Sequence, residues 1–150
     1  MIKSINHQFF FSHKPEVVWE YLTNADLLEL WLMKNDFQPV IGHDFQFRTK
    51  PIPSLNIDGI MQCRVLELVP FKKLAYSWQA GPGDGTVTLD TKVLWTLRQT
   101  DKGTELTLVH SGFTEIENLA IYNGMTDGWV QNINKMVAHL NAASQGTTSN

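Results

Sequence analysis

"TELTLVHSGF", Thr104 to Phe113, decides how this chain folds. Leu106 and Leu108 alternate with Thr107 and Val109, the two-residue period of a strand with one covered face. His110 has the parity of Leu106 and Leu108, so its ring is aimed at the covered side. Ser111 faces the other way, and the two do not form a dyad. Gly112, without a side chain, lets the chain turn away as the strand ends. A polar ring on an apolar face has two readings. It is a neutral histidine satisfied by a neighbouring strand or helix, or it is a hydrogen-bond partner or general base for a ligand.

Upstream, Asp101-Lys102-Gly103 makes a tight turn and returns the chain antiparallel from "VTLDTKVLWTLRQ". That segment sets Val87, Leu89, Thr91, Val93, Trp95 and Leu97 on one side. "GPGDGT" (81–86) is a turn that precedes a strand, whereas phosphate loops open helices. "KKLAYSWQA" carries Leu74, Tyr76 and Trp78 on one face, and "IDGIMQCRVLELV" (57–69) is a long strand ended by Pro70. "PIPSLN" (51–56) is a loop, and "QPVIGHDFQFRT" (38–49) reads as two short strands joined at Gly42-His43. The chain opens with a strand over 4–12. Two short helices follow: "PEVVWEYLT" from Pro15, with Val18, Trp19 and Leu22 on one face, and "ADLLELWL", with Leu27, Leu30 and Trp31 sharing a face. Lys14 is a poor cap for the first helix; Asn24 is a good one for the second.

Downstream, Trp129, Ile133, Met136, Val137 and Leu140 recur at helical spacing, and Ile121 and Met125 extend the stripe backwards. The order is strand, two short helices, six or so further strands and a long closing helix. It predicts an α+β domain over 1–142, a curved antiparallel sheet wrapped around that helix, with 143–150 as a disordered tail.

The 150-residue length suits one domain, and the net charge of −3 leaves no basic footprint for nucleic acid. No signal peptide and no membrane-spanning stretch is legible. Cys63 has no second cysteine to pair with, and a cytoplasmic location follows as an expectation. His7, His13, His43, His110 and His139 form no i, i+4 pair, so neither a metal nor a cofactor is expected. Cys63 reads as a small core thiol.

Five segments in this order resemble a known family: "PEVVWEYLTNADLLELW", Gly42 with "FQF", "VLELVPFKKLAYSW", "TELTLVHSGF" and Gly128-Trp129. Together they span nearly the whole chain. The chain resembles the START-like (SRPBCC, helix-grip) superfamily, and within it the group of heat-shock-protein-90 ATPase activator homologues. The resemblance implies a cavity between the closing helix and the sheet that holds apolar small molecules. The co-chaperones of this name carry an additional N-terminal domain, which this chain is expected to lack because its first strand begins close to Met1.

On that basis the candidate ligand-binding residues are Trp31, Met33, Phe37, Trp78, Trp95, His110, Phe113, Met125, Trp129 and Met136. Each also suits ordinary core packing. Gly124 and Gly128, one helical turn apart, imply close approach of another element, room for a ligand, or a frayed helix start. Three functions are carried forward: non-enzymatic binding of a small apolar molecule, a cyclase or hydratase using His110, and a chaperone-binding module.

Overall fold

The computed structural model describes residues 2–114 and 119–148. The strand around His110 is β7 (Gly103–Thr114), and it lies between β1 (Ile2–Phe11) and β6 (Leu89–Thr100). Beyond β6 follow β5 (Lys73–Ala80), β4 (Ile60–Val69), β3 (Asp44–Arg48) and the two-residue β2 (Lys34–Asn35), antiparallel throughout. Helices α1 (Pro15–Thr23) and α2 (Ala25–Trp31) link β1 to β2, and α3 (Leu119–Thr148) closes the chain. This is the helix-grip α+β architecture that the sequence predicts.

The alternation has its physical counterpart on the sheet's concave face. Leu106, Leu108 and His110 of β7 are buried there, with Val93, Trp95 and Leu97 of β6, Tyr76 and Trp78 of β5, and Phe45 and Phe47 of β3. From α3, Ile121, Trp129, Ile133, Met136 and Leu140 meet them. At α2, the side chain of Asn24 accepts the amides of Asp26 and Leu27, while Lys14 provides no side-chain cap for α1.

Several expectations are corrected. Strand β7 does not end at Gly112. Lys3 pairs with Phe113 and Ser4 with Ser111, so Gly112 is an inserted bulge residue at φ 106°. A Cβ there would stand 3.0 Å from the Asp90 carbonyl oxygen, which only glycine avoids. The bulge resets the parity, and Phe113 therefore points inward although it is three residues from His110. Strand β1 starts at Ile2 because its first residues pair with Thr114 and Phe113.

Residues 38–41 are not a strand. Pro39 lacks an amide proton, and the segment turns through bonds from Val40 N to Gln38 O and His43 N to Val40 O. Val87 is exposed and precedes β6. In α2 the buried pair is Leu28 and Trp31, with Leu30 in solvent, because Trp31 turns inward to give its indole N–H to Tyr21 O at 2.9 Å. The β4 strand begins at Ile60, after Gly59 at φ 90°, where a Cβ would strike the Thr49 carbonyl. Helix α3 runs from Leu119 to Thr148, and no proline interrupts it.

A half-open apolar cavity under the first half of the closing helix

One end of the grip is hollow. A cavity of about 250 Å³ lies between the first half of α3 and the concave sheet. Ile121, Gly124, Met125, Gly128, Trp129 and Asn132 line it from the helix. Met61, Trp78 and Leu89 line it from the sheet, and Leu32 and Met33 from the end of α2. The loop after β3 completes it with Thr49, Ile52, Leu55 and Ile57. Among the described residues no charged side chain belongs to this wall. Packed interiors leave few gaps larger than a water molecule, so this space exceeds ordinary packing imperfection.

Of the residues expected to bind a ligand, Met33, Trp78, Met125 and Trp129 meet around this space. The other six lie elsewhere. Trp31 and Trp95 pack edge to face at 6.1 Å, and the Trp95 N–H is donated to the Tyr76 hydroxyl at 3.0 Å. Phe37 packs on Phe45 at 5.0 Å, and Phe113 on Tyr122 at 5.5 Å. Met136 is core beneath the second half of α3. Sequence reasoning missed Ile52 and Leu55, because "PIPSLN" reads as a loop, and Ile57, which it read as the start of a strand; two apolar residues within so proline-rich a connection were the available signal. A Cβ on Gly124 or Gly128 would meet nothing within 4 Å, which favours room over close approach.

His110 stands behind the wall rather than in it. The indole N–H of Trp129 donates to its Nδ1 at 3.1 Å, so Nδ1 is the unprotonated nitrogen. Nε2 then carries the proton and gives it to Thr91 Oγ1 at 2.8 Å. Thr91 in turn donates to the Trp78 carbonyl at 2.8 Å. Both ring nitrogens are committed, the side chain is fully buried, and burial pushes its pKa down to about 3. A neutral, fully bonded imidazole of this kind is a fastener between β7, β6 and α3. Cys63 is also buried, and burial pushes its thiol well above the ordinary value, away from the nucleophilic thiolate. Among the described residues no three of His, Cys, Asp and Glu converge, and no helix is long and apolar enough to cross a membrane.

Comparison with known proteins gives the class. The family model described as "Activator of Hsp90 ATPase homolog 1-like protein" matches residues 12–141. The chain belongs to that family, within the START-like fold. The crystal structure of protein MLL2253 from Mesorhizobium loti is 34% identical over 93% of this chain and 98% of its own, with a TM-score of 0.83. The solution structure of Bacillus halodurans BH1534 is 25% identical over 92% and 96%, with a TM-score of 0.71. The Aha1 dimer from Colwellia psychrerythraea is 21% identical over 92% and 96%, TM-score 0.73, a likeness of fold alone. Among curated proteins there is no significant match.

The His110 fastener sets a pH dependence. In the unfolded chain the ring titrates near its ordinary 6.5, and in the fold near 3. Between these values the unfolded state holds the extra proton, so stability is complete above about pH 6.5 and is lost as pH falls towards 3. By pH 5 this group's contribution falls by about 2 kcal/mol. Urea unfolding at about pH 7.5 and about pH 5 should show that loss in the native protein. In His110→Gln, whose amide can serve both neighbours without titrating, the difference should shrink by the same amount. An equal pH dependence in both proteins contradicts the assignment.

Proposed function

We propose that this protein is a non-enzymatic binding domain for a small apolar molecule, held in the cavity under the first half of α3. One observation carries the reading: about 250 Å³ of space whose lining side chains among the described residues are uncharged, with Thr49 and Asn132 the hydrogen-bonding ones besides the two indoles. A cavity of about 150 Å³ with apolar walls takes up benzene, so this space suits roughly two fused rings or a short branched chain. Met33, Met61 and Met125 give the wall adaptable surfaces. His110 has no lone pair or proton left for catalysis in this arrangement.

A second reading, a chaperone-binding module as the family description suggests, has its own observation. Val40, Ile41, Leu66, Val69 and Phe71 are exposed, and Phe71 lines a cleft with Trp19, Phe37 and Pro39. That is the kind of surface a protein partner covers. Pulldown with purified Hsp90 should then retain the native chain and lose Phe71→Asp; no retention of the native chain removes this reading.

The cavity reading is tested by filling it. Gly128→Leu places a side chain where the structure has open space, and it raises helix propensity by about 0.5–1 kcal/mol. Thermal-shift and native mass-spectrometry titrations with naphthalene-sized apolar compounds should show binding to the native chain. Gly128→Leu should fold at least as stably and bind at least tenfold more weakly. Uniformly absent binding, or equal binding by the variant, overturns the proposal.

A further inference from the structure

Trp78 is buried in the inner face of β5, and its ring forms part of the cavity wall beside Trp129. The indole protons of Trp31, Trp95 and Trp129 all reach acceptors, namely Tyr21 O, the Tyr76 hydroxyl and His110 Nδ1. The Nε1–H of Trp78 meets none among the described residues. A buried donor left without an acceptor costs about 1–3 kcal/mol, a penalty native folds rarely retain.

The acceptors of the bonded chain beside it each take a proton from another donor, and none takes this one. His110 Nδ1 accepts from Trp129, Thr91 Oγ1 accepts from His110, and the Trp78 carbonyl accepts from Thr91. Three rings stand close: Phe47 at 5.2 Å, His110 at 5.5 Å and Trp129 at 5.6 Å. They offer π faces, which are second-order acceptors. Of the two buried polar side-chain atoms without a partner among the described residues, Trp78 Nε1 and Thr100 Oγ1, the first belongs to a side chain that borders the apolar cavity.

We infer that the cavity's ligand is a neutral molecule of about two fused rings bearing a hydrogen-bond acceptor, a carbonyl or ether oxygen, that pairs with Trp78 Nε1–H. The inference rests on the binding role proposed for the cavity and adds the ligand's polarity to it. Neutrality follows from the described wall: it offers no charged partner, so an ionised head group there would be buried uncompensated. The nitrogen is covered in this structure, so the acceptor reaches it by displacing a wall side chain. The thioethers of Met33, Met61 and Met125, which have more rotatable bonds than any branched apolar residue, are the side chains suited to yield.

A matched ligand pair tests this. Tetralin and α-tetralone share a bicyclic frame and differ by one carbonyl oxygen. Dissociation constants for both are measured on the native chain and on Trp78→Phe, which keeps an aromatic wall without the N–H. The tetralin-to-tetralone ratio of dissociation constants should fall at least about fivefold in the variant, the worth of one satisfied buried donor. A second readout needs no variant. In the ¹⁵N-labelled native chain, the Trp78 indole proton resonance should move downfield with α-tetralone and not with tetralin.

Both compounds binding with an unchanged ratio, or an indole resonance that responds alike to both, overturns the acceptor pairing and leaves the cavity reading in place. Neither compound binding overturns the cavity reading and this inference with it. If Trp78→Phe fails to fold, the resonance shift alone decides.

Discussion

Helix α3 is joined to the sheet at Trp129. Its indole N–H is bound to His110 on β7, and its ring stands edge-on to Trp78 at 5.6 Å and Trp95 at 5.4 Å. This junction divides the interior. Towards the C-terminus, Ile133, Met136 and Leu140 are buried against a filled aromatic core. Towards the N-terminus, Ile121, Gly124, Met125 and Gly128 look onto open space. Filled and hollow halves in one domain are physically compatible because the solid half supplies the cohesion.

The polar chain behind the junction explains why a histidine sits at so dry a position. A neutral imidazole accepts at one ring nitrogen and donates at the other, which fits a position that has a donor on one side and an acceptor on the other. His110 accepts from the helix and donates to Thr91, and Thr91 passes the bond to the Trp78 backbone. Two tryptophans of the cavity wall are thereby held from behind. The apolar lining is held by hydrogen bonds that lie behind it. Membership in the Activator of Hsp90 ATPase homolog 1-like family is consistent with this scaffold.

Most of the architecture was legible because the alternation is local. Leu106, Leu108 and His110 declare their face at once, and the stripe from Ile121 to Leu140 declares its helix. The errors fell where non-local contacts decide. Phe113 faces inward through a bulge whose cause, the close approach of Asp90, lies in the adjacent strand. Leu28 is buried, Leu27 half-buried and Leu30 exposed, since Trp31 is drawn to a carbonyl ten residues away. The site was half legible for the same reason. Residues in periodic elements, such as Trp78 and Trp129, could be placed on a face. Ile52 and Leu55 sit in an aperiodic connection that acquires a direction only when it folds over the cavity.

The account stands on there being accessible apolar space beside Trp129. Xenon is small, neutral and drawn to dry voids, so a crystal of the native protein pressurised with xenon tests it most directly. The account predicts a strong xenon peak between Trp78, Met125 and Trp129. A crystal whose xenon lies only elsewhere, with side chains filling that region, would contradict it.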